Sequence, residues 1–148
     1  MTTYVLFMST DPFITDIQFS PSWEPIAGKF DWSHVKQMNL GLTNCSNLLV
    51  LANGNGSVIG NIASGTIEID AESFLSLLNK NILDFDSLNS IYISTQGQGI
   101  VGFASMIRNL ARKNKKLRNT RIYTYNHPFQ LEIPKPNDPR WHQFFSGF

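Results

Sequence analysis

Cysteine is nearly absent. Cys45 stands alone among 148 residues, so the chain has no internal disulfide framework and no cysteine-built zinc site. No apolar run approaches the roughly 20 residues that a membrane helix needs. Met1–Ser9 is apolar but lacks the basic leader of a signal peptide, and it reads as a strand. Charge is also sparse, at 16% against 42% hydrophobic residues, which is a globular composition and not a disordered one. A chain of this length makes one domain, 1–148, able to bury roughly two-thirds of its unfolded surface without staples. The expectation is a cytoplasmic protein with no membrane association, export by a leaderless route remaining open.

A net charge of +1 hides an uneven distribution. Residues 1–86 carry nine acids and three bases, residues 87–148 nine bases and two acids, and no Asp or Glu occurs from 87 to 131. Arg108, Arg112, Lys113, Lys115, Lys116, Arg118 and Arg121 form one basic cluster. Such a cluster can track phosphates, but it lacks interleaved aromatics, and cations also suit the negative end of a helix dipole. Nucleic acid is therefore not the expected partner.

Hydrophobic periodicity organises the rest. Tyr4–Met8, Leu48–Ala52, Ile91–Ser94 and Arg121–Tyr125 read as strands, the first two as continuous apolar runs buried on both faces. Asp31 caps a short helix over 31–38, and Asp70 caps a second through Lys80 with Phe74, Leu75, Leu77 and Leu78 as its stripe. A third helix, 100–113, places Ile100, Phe103, Ala104, Ile107, Leu110 and Ala111 on one face. Ser57–Ile69 suggests a small hairpin after the second strand. Residues 10–30, with Pro12, Pro21, Pro25 and Gly28, show no helical period and read as a long excursion. Strands alternating with helices predict an α/β fold in three layers, a mainly parallel sheet with helices on both faces.

Ligands of open α/β sheets bind beyond the carboxyl ends of the strands. Two such ends are rich in glycine: Ala52-Asn53-Gly54-Asn55-Gly56 and Thr95-Gln96-Gly97-Gln98-Gly99. A strand ending in a residue plus Gly, a hairpin and helix, then a strand ending in Ser-x-x-x-x-Gly before another helix, resembles the caspase-like cysteine peptidases. That family ends its first strand in His-Gly and its second in a Ser-Ala-Cys-x-x-Gly pattern, the His and Cys forming the catalytic dyad. The resemblance spans roughly residues 45–125. It puts Asn53 where the histidine belongs and Gln96 where the cysteine belongs. Gln96 cannot attack a carbonyl, and Asn53 cannot take a proton near neutral pH. The resemblance thus implies a caspase-like fold without the peptidase dyad. That is a non-catalytic binding or interaction module, of the kind found in toxin and effector systems. Its candidate pocket is Asn53, Gly54, Asn55, Gln96, Gly97, Gln98 and Gly99, with no cofactor and a protein or peptide partner. Neutral amides that both donate and accept suit peptide or small polar ligands better than proton transfer.

Other readings stay open. Gly97-x-Gly99-x-x-Gly102 after a strand and before a helix formally matches a dinucleotide fingerprint. The acid expected about 20 residues later is missing, however, and only 46 residues follow Gly102. Both loops also read simply as tight turns. An enzyme using residues not assembled here is a third class. Cys45 precedes the Leu48–Ala52 strand, at the end of the sheet away from the pocket, and His34, His127 and His142 have no metal-site spacing. Trp141, Phe144, Phe145 and Phe148 lie at i, i+3, i+4 and i+7. A final helical turn would give them one apolar face, docked on the domain itself or offered to a partner such as a second copy.

Overall fold

The computed structural model describes residues 2–54, 56–63, 66–83, 88–95, 100–117, 119–126 and 132–145. Its main sheet is built from β1 (Thr2–Phe7), β3 (Ile26–Asp31), β4 (Ser46–Gly54), β7 (Ser90–Thr95), β8 (Arg121–Asn126) and β10 (His142–Phe145). They lie side by side in the order β10-β8-β7-β4-β1-β3, all parallel except β10. Numbered by their own succession, the six strands run 2-1-3-4-5-6 from the β3 edge. A hairpin of β5 (Val58–Gly60) and β6 (Glu68–Asp70) extends the carboxyl end of β4, and β2 (Gln18–Phe19) pairs with β9 (Glu132–Ile133) in a separate ribbon.

The sheet is buried because the middles of its central strands carry apolar side chains on both faces. Leu48, Val50 and Ala52 of β4 face one core, Leu49 and Leu51 the other. The first core is covered by α2 (Trp32–Val35), α3 (Ala71–Leu77) and α4 (Ile100–Lys113). The steps β3→β4, β4→β7 and β7→β8 all cross the sheet in one direction, so right-handed crossovers put their helices on one face. The step β1→β3 goes the other way, and its connection, with α1 (Pro12–Thr15) and a 3-10 turn at Pro21–Trp23, covers the opposite face. The fold is the three-layer α/β arrangement expected, with one layer nearly without helix.

Caps start both helices where the sequence suggests, although the first, α2, stops at Val35 and does not reach 38. The Asp31 carboxylate accepts from the His34 N–H at 2.8 Å, and that of Asp70 from the Ser73 N–H at 2.7 Å. These bonds hold both carboxyls below their ordinary range. The second helix does not run regularly to Lys80: it ends at Leu77 and continues as a π-helical turn, Leu78–Ile82, closed by Leu83 N–H to the Leu78 carbonyl at 2.8 Å. The turn inserts Ile82 and Leu83 into the core.

Two stretches differ from the sequence reading. The excursion at 10–30 ends in an edge strand, β3, whose Ile26, Gly28 and Phe30 are half-buried while Ala27 and Lys29 are exposed. A Cβ at Gly28 would lie 2.6 Å from the Phe30 ring, so any side chain there would push that ring aside. The tail is a strand and not a helix. Residues 142–145 pair antiparallel with β8, which covers the backbone donors and acceptors that β8 would otherwise leave open. A helix this short would leave most of its own end groups unpaired.

The nearly helix-free layer is an aromatic pile. Tyr92 stacks on Tyr123 at 4.6 Å between centroids and meets Trp23 and Trp141 edge-on at 4.9 and 5.0 Å. The two indoles donate to the tail, Trp23 to the Pro134 carbonyl at 3.0 Å and Trp141 to that of Lys135 at 3.1 Å. Burial, aided by Tyr123, pushes the Tyr92 hydroxyl up to about 12.

Candidate ligand site at the carboxyl ends of β1 and β4

Strands β1 and β4 are neighbours whose chains depart over opposite faces, β1 toward α1 and β4 toward the hairpin and α3. That is the point at which a doubly wound sheet opens a crevice. Polar side chains from three segments meet there: Ser9, Thr10 and Asp11 after β1, Asn53 at the end of β4, and Asn61 just past β5.

Asn53 continues the series Leu49, Leu51 toward the second core and is 4% exposed. Its Nδ2 donates to the Asp11 carboxylate, an acceptor only, so the carboxamide's orientation is fixed. The same carboxylate oxygen accepts from the Ile62 N–H at 2.9 Å. Asn61 Oδ1 accepts from the Ser9 hydroxyl at 2.6 Å and the Thr10 N–H at 2.8 Å, while its Nδ2 donates to Thr10 Oγ1 at 2.9 Å. Ser9, itself buried, also accepts from the Asp11 N–H at 3.1 Å. The result is a closed network of two carboxamides, two hydroxyls and one carboxylate. Among the described residues it holds no imidazole or thiol.

Of the pocket predicted from sequence, Asn53 and Gly54 stand at this edge; Asn55, Gln96, Gly97, Gln98 and Gly99 lie outside the described residues. Gly54 is tightly packed, because a Cβ there would sit 3.0 Å from Ile59 Cγ2 and 3.2 Å from the Val58 carbonyl. Gly102, the last glycine of the fingerprint, lies in the first turn of α4, where a Cβ would come within 3.2 Å of the Gly56 carbonyl. It therefore lets the start of α4 approach Gly56. Thr95, fully buried at the end of β7, has a hydroxyl with no hydrogen-bond partner among the described residues.

Ser9, Thr10, Asp11 and Asn61 were not singled out from the sequence. Ser-Thr-Asp directly after an apolar strand was the signal available; nothing local marks Asn61. Cys45 is exposed beside the start of β4, at the opposite end of the sheet. His34 pairs with Asp31 at 2.8 Å on the surface, His142 is exposed in β10, and His127 lies outside the described residues. Among the described residues no three His, Cys, Asp or Glu side chains gather as metal ligands. No helix among them is long and apolar enough to cross a membrane.

Of the aromatic tail, Trp141 is buried inside the domain against Tyr92, Tyr125 and Trp23. Phe144 and Phe145 are residues of β10. Phe148 is not among the described residues.

No protein-family model, curated protein or solved structure matches the chain.

Proposed function

We propose that the chain is a non-catalytic, caspase-like binding module that takes a peptide or protein partner at the carboxyl edge of its sheet. The observation that carries this reading is the state of Asn53. At the position where the resemblance expects a general base, the side chain is a buried carboxamide held by a carboxylate. It has no basic site that takes up a proton near neutral pH. The neighbouring hydroxyls and amides recognise polar ligands by donating and accepting, and the one carboxylate, Asp11, accepts from Asn53 and the Ile62 N–H. The toxin or effector setting follows from the resemblance alone.

The dinucleotide reading is less well supported. Its fingerprint follows β7, whose neighbours β4 and β8 are joined to it by connections over one and the same face. A phosphate-binding turn belongs where successive connections part to opposite faces, and that place is β1/β4.

A thermal-shift panel tests the two readings together. The purified chain is mixed with pooled capped tetrapeptides, NAD, NADP and simple anions, and fluorogenic peptides are followed for turnover. A peptide at 100 times its dissociation constant adds about 2.7 kcal/mol, a rise of roughly 5–10 °C at this size. Stabilisation by peptides without cleavage is the expected result. A shift with a dinucleotide that Gly99→Asp abolishes, or cleavage of any peptide, would overturn the proposal.

A further inference from the structure

The β5–β6 hairpin is held at two separate places. Its body is anchored by Ile59 and Ile69, both buried in the core. Its tip buries little: Ile62 is 73% exposed and Ala63 is exposed. The tip is fixed to residues 9–11 by the hydrogen bonds of the Asn61 side chain and the Ile62 N–H. Those bonds fall in the crevice where a doubly wound sheet binds its ligand.

We infer that this crevice is a peptide subsite that reads a carboxamide side chain followed by a backbone N–H, and that Asn61-Ile62 fills it as a tethered surrogate. The inference rests on the peptide-binding reading above and names what that site recognises. Both ends of the surrogate's carboxamide and the N–H that follows it are answered. The carboxamide oxygen meets two donors, Ser9 Oγ and Thr10 N–H; the carboxamide nitrogen meets one acceptor, Thr10 Oγ1; and the next N–H meets the Asp11 carboxylate. Thr10 N–H can only donate, which fixes the carboxamide's orientation. An aspartate in its place would set a second carboxylate near Asp11, and that repulsion makes the subsite selective for an amide over an acid. The side chain after the carboxamide points to solvent, as the exposure of Ile62 shows, so the motif read is Asn followed by any residue.

The surrogate can leave without unzipping the hairpin. The Asn61 backbone N–H stays bonded to the Ile67 carbonyl at 2.9 Å within the hairpin, while the side chain reaches the crevice through its own rotatable bonds. A competing peptide therefore displaces a side chain and one N–H, not a strand.

The test uses the tripeptide acetyl-Asn-Ile-Ala-amide, its Asp counterpart, and pooled tetrapeptides lacking Asn. Binding is followed by amide NMR on the native chain and on Asn61→Ala. The expected result is saturable binding of the Asn tripeptide to Asn61→Ala with shifts at Thr10 and Asp11, about tenfold tighter than the Asp tripeptide, the worth of roughly one such hydrogen bond. On the native chain, excess Asn tripeptide speeds hydrogen exchange of the Ile62 amide, and this measurement stands even if the variant does not fold. Equal binding of the two tripeptides, or an Ile62 amide unaffected by excess peptide, would overturn the inference. If the Asn-free pool stabilises the chain while the Asn tripeptide does nothing, the surrogate idea falls and the binding module stands. If no peptide perturbs either chain, both fall.

Discussion

Asn53→Asp is the sharpest probe of the carboxyl edge, because it changes one atom of a buried group and reverses its role. In the native chain Asn53 donates to the Asp11 carboxylate. In the variant two carboxylates face each other, and at about 4 Å in a medium of effective dielectric near 20 they repel by about 4 kcal/mol. The pair can escape by binding one proton, whose O–H then replaces the lost N–H donor toward Asp11. The cost of that proton caps the penalty at about 4 kcal/mol at pH 7, and at about 1.5 kcal/mol at pH 5, for an ordinary aspartate near 3.9. The folded variant thus holds a proton that the unfolded chain has released. Its carboxyl is raised on folding, so its stability relative to the native chain falls as pH rises from 5 to 7. Urea unfolding followed by tryptophan fluorescence at pH 5, 6 and 7 measures the difference directly. The exchange Asp11→Asn in the same variant restores one donor and one charged acceptor and should recover most of the loss. A penalty unchanged between pH 5 and 7, or no recovery in the double variant, would refute the pairing of these two side chains.

Two further predictions concern the aromatic layer. Tyr92, raised on folding to about 12, is favoured neutral in the fold, so its contribution is intact below about pH 10 and is lost as pH rises toward 12. Tyr92→Phe should flatten the stability profile over that window by no more than about 1.4 kcal/mol per pH unit, and an equally steep decline in the variant would assign the loss elsewhere. Trp141→Ala removes the ring that packs on Tyr92 and Tyr125 and the bond to the Lys135 carbonyl. A loss of about 3–5 kcal/mol in urea unfolding is expected, and a loss under about 1 kcal/mol would mean that the tail does not pack on the sheet.

The fold was legible where one physical signal dominated. Continuous apolar runs at 4–8 and 48–52 mark strands covered on both faces, and they become β1 and β4 in the interior of the sheet. Asp31 and Asp70 announce helix starts because their carboxylates satisfy orphan N–H groups, and both do so. Signals mixed with others were harder to read. The alternation of Ile26, Gly28 and Phe30 is that of an edge strand, but Pro25 and Gly28 resemble the punctuation of a loop. Trp141, Phe144 and Phe145 fit a helical period, yet tertiary pairing with β8 decided their conformation. The charge asymmetry gains meaning only through topology. β3, β1 and β4 come from the acidic half of the chain, β7, β8 and β10 from the basic half, and each trio lies together.

The candidate site was half legible for a related reason. Asn53 was found because a ligand edge lies beyond the strand ends, a rule that needs only the positions of strands. Its partners needed the strand order. The segment after β1 reaches Asn53 only because β1 lies beside β4, with β3 placed outside it, and Asn61 reaches residues 9–11 only because the hairpin folds back over that junction. Asp11 and Asn53 are 42 residues apart, and no period of two or of 3.6 connects them. The glycines drew attention because they are conspicuous in sequence, yet Gly54 and Gly102 relieve close packing. The hydrogen-bonding chemistry described at this edge belongs to Ser, Thr, Asn and Asp residues, types common in any loop. Their significance follows from the crevice they share.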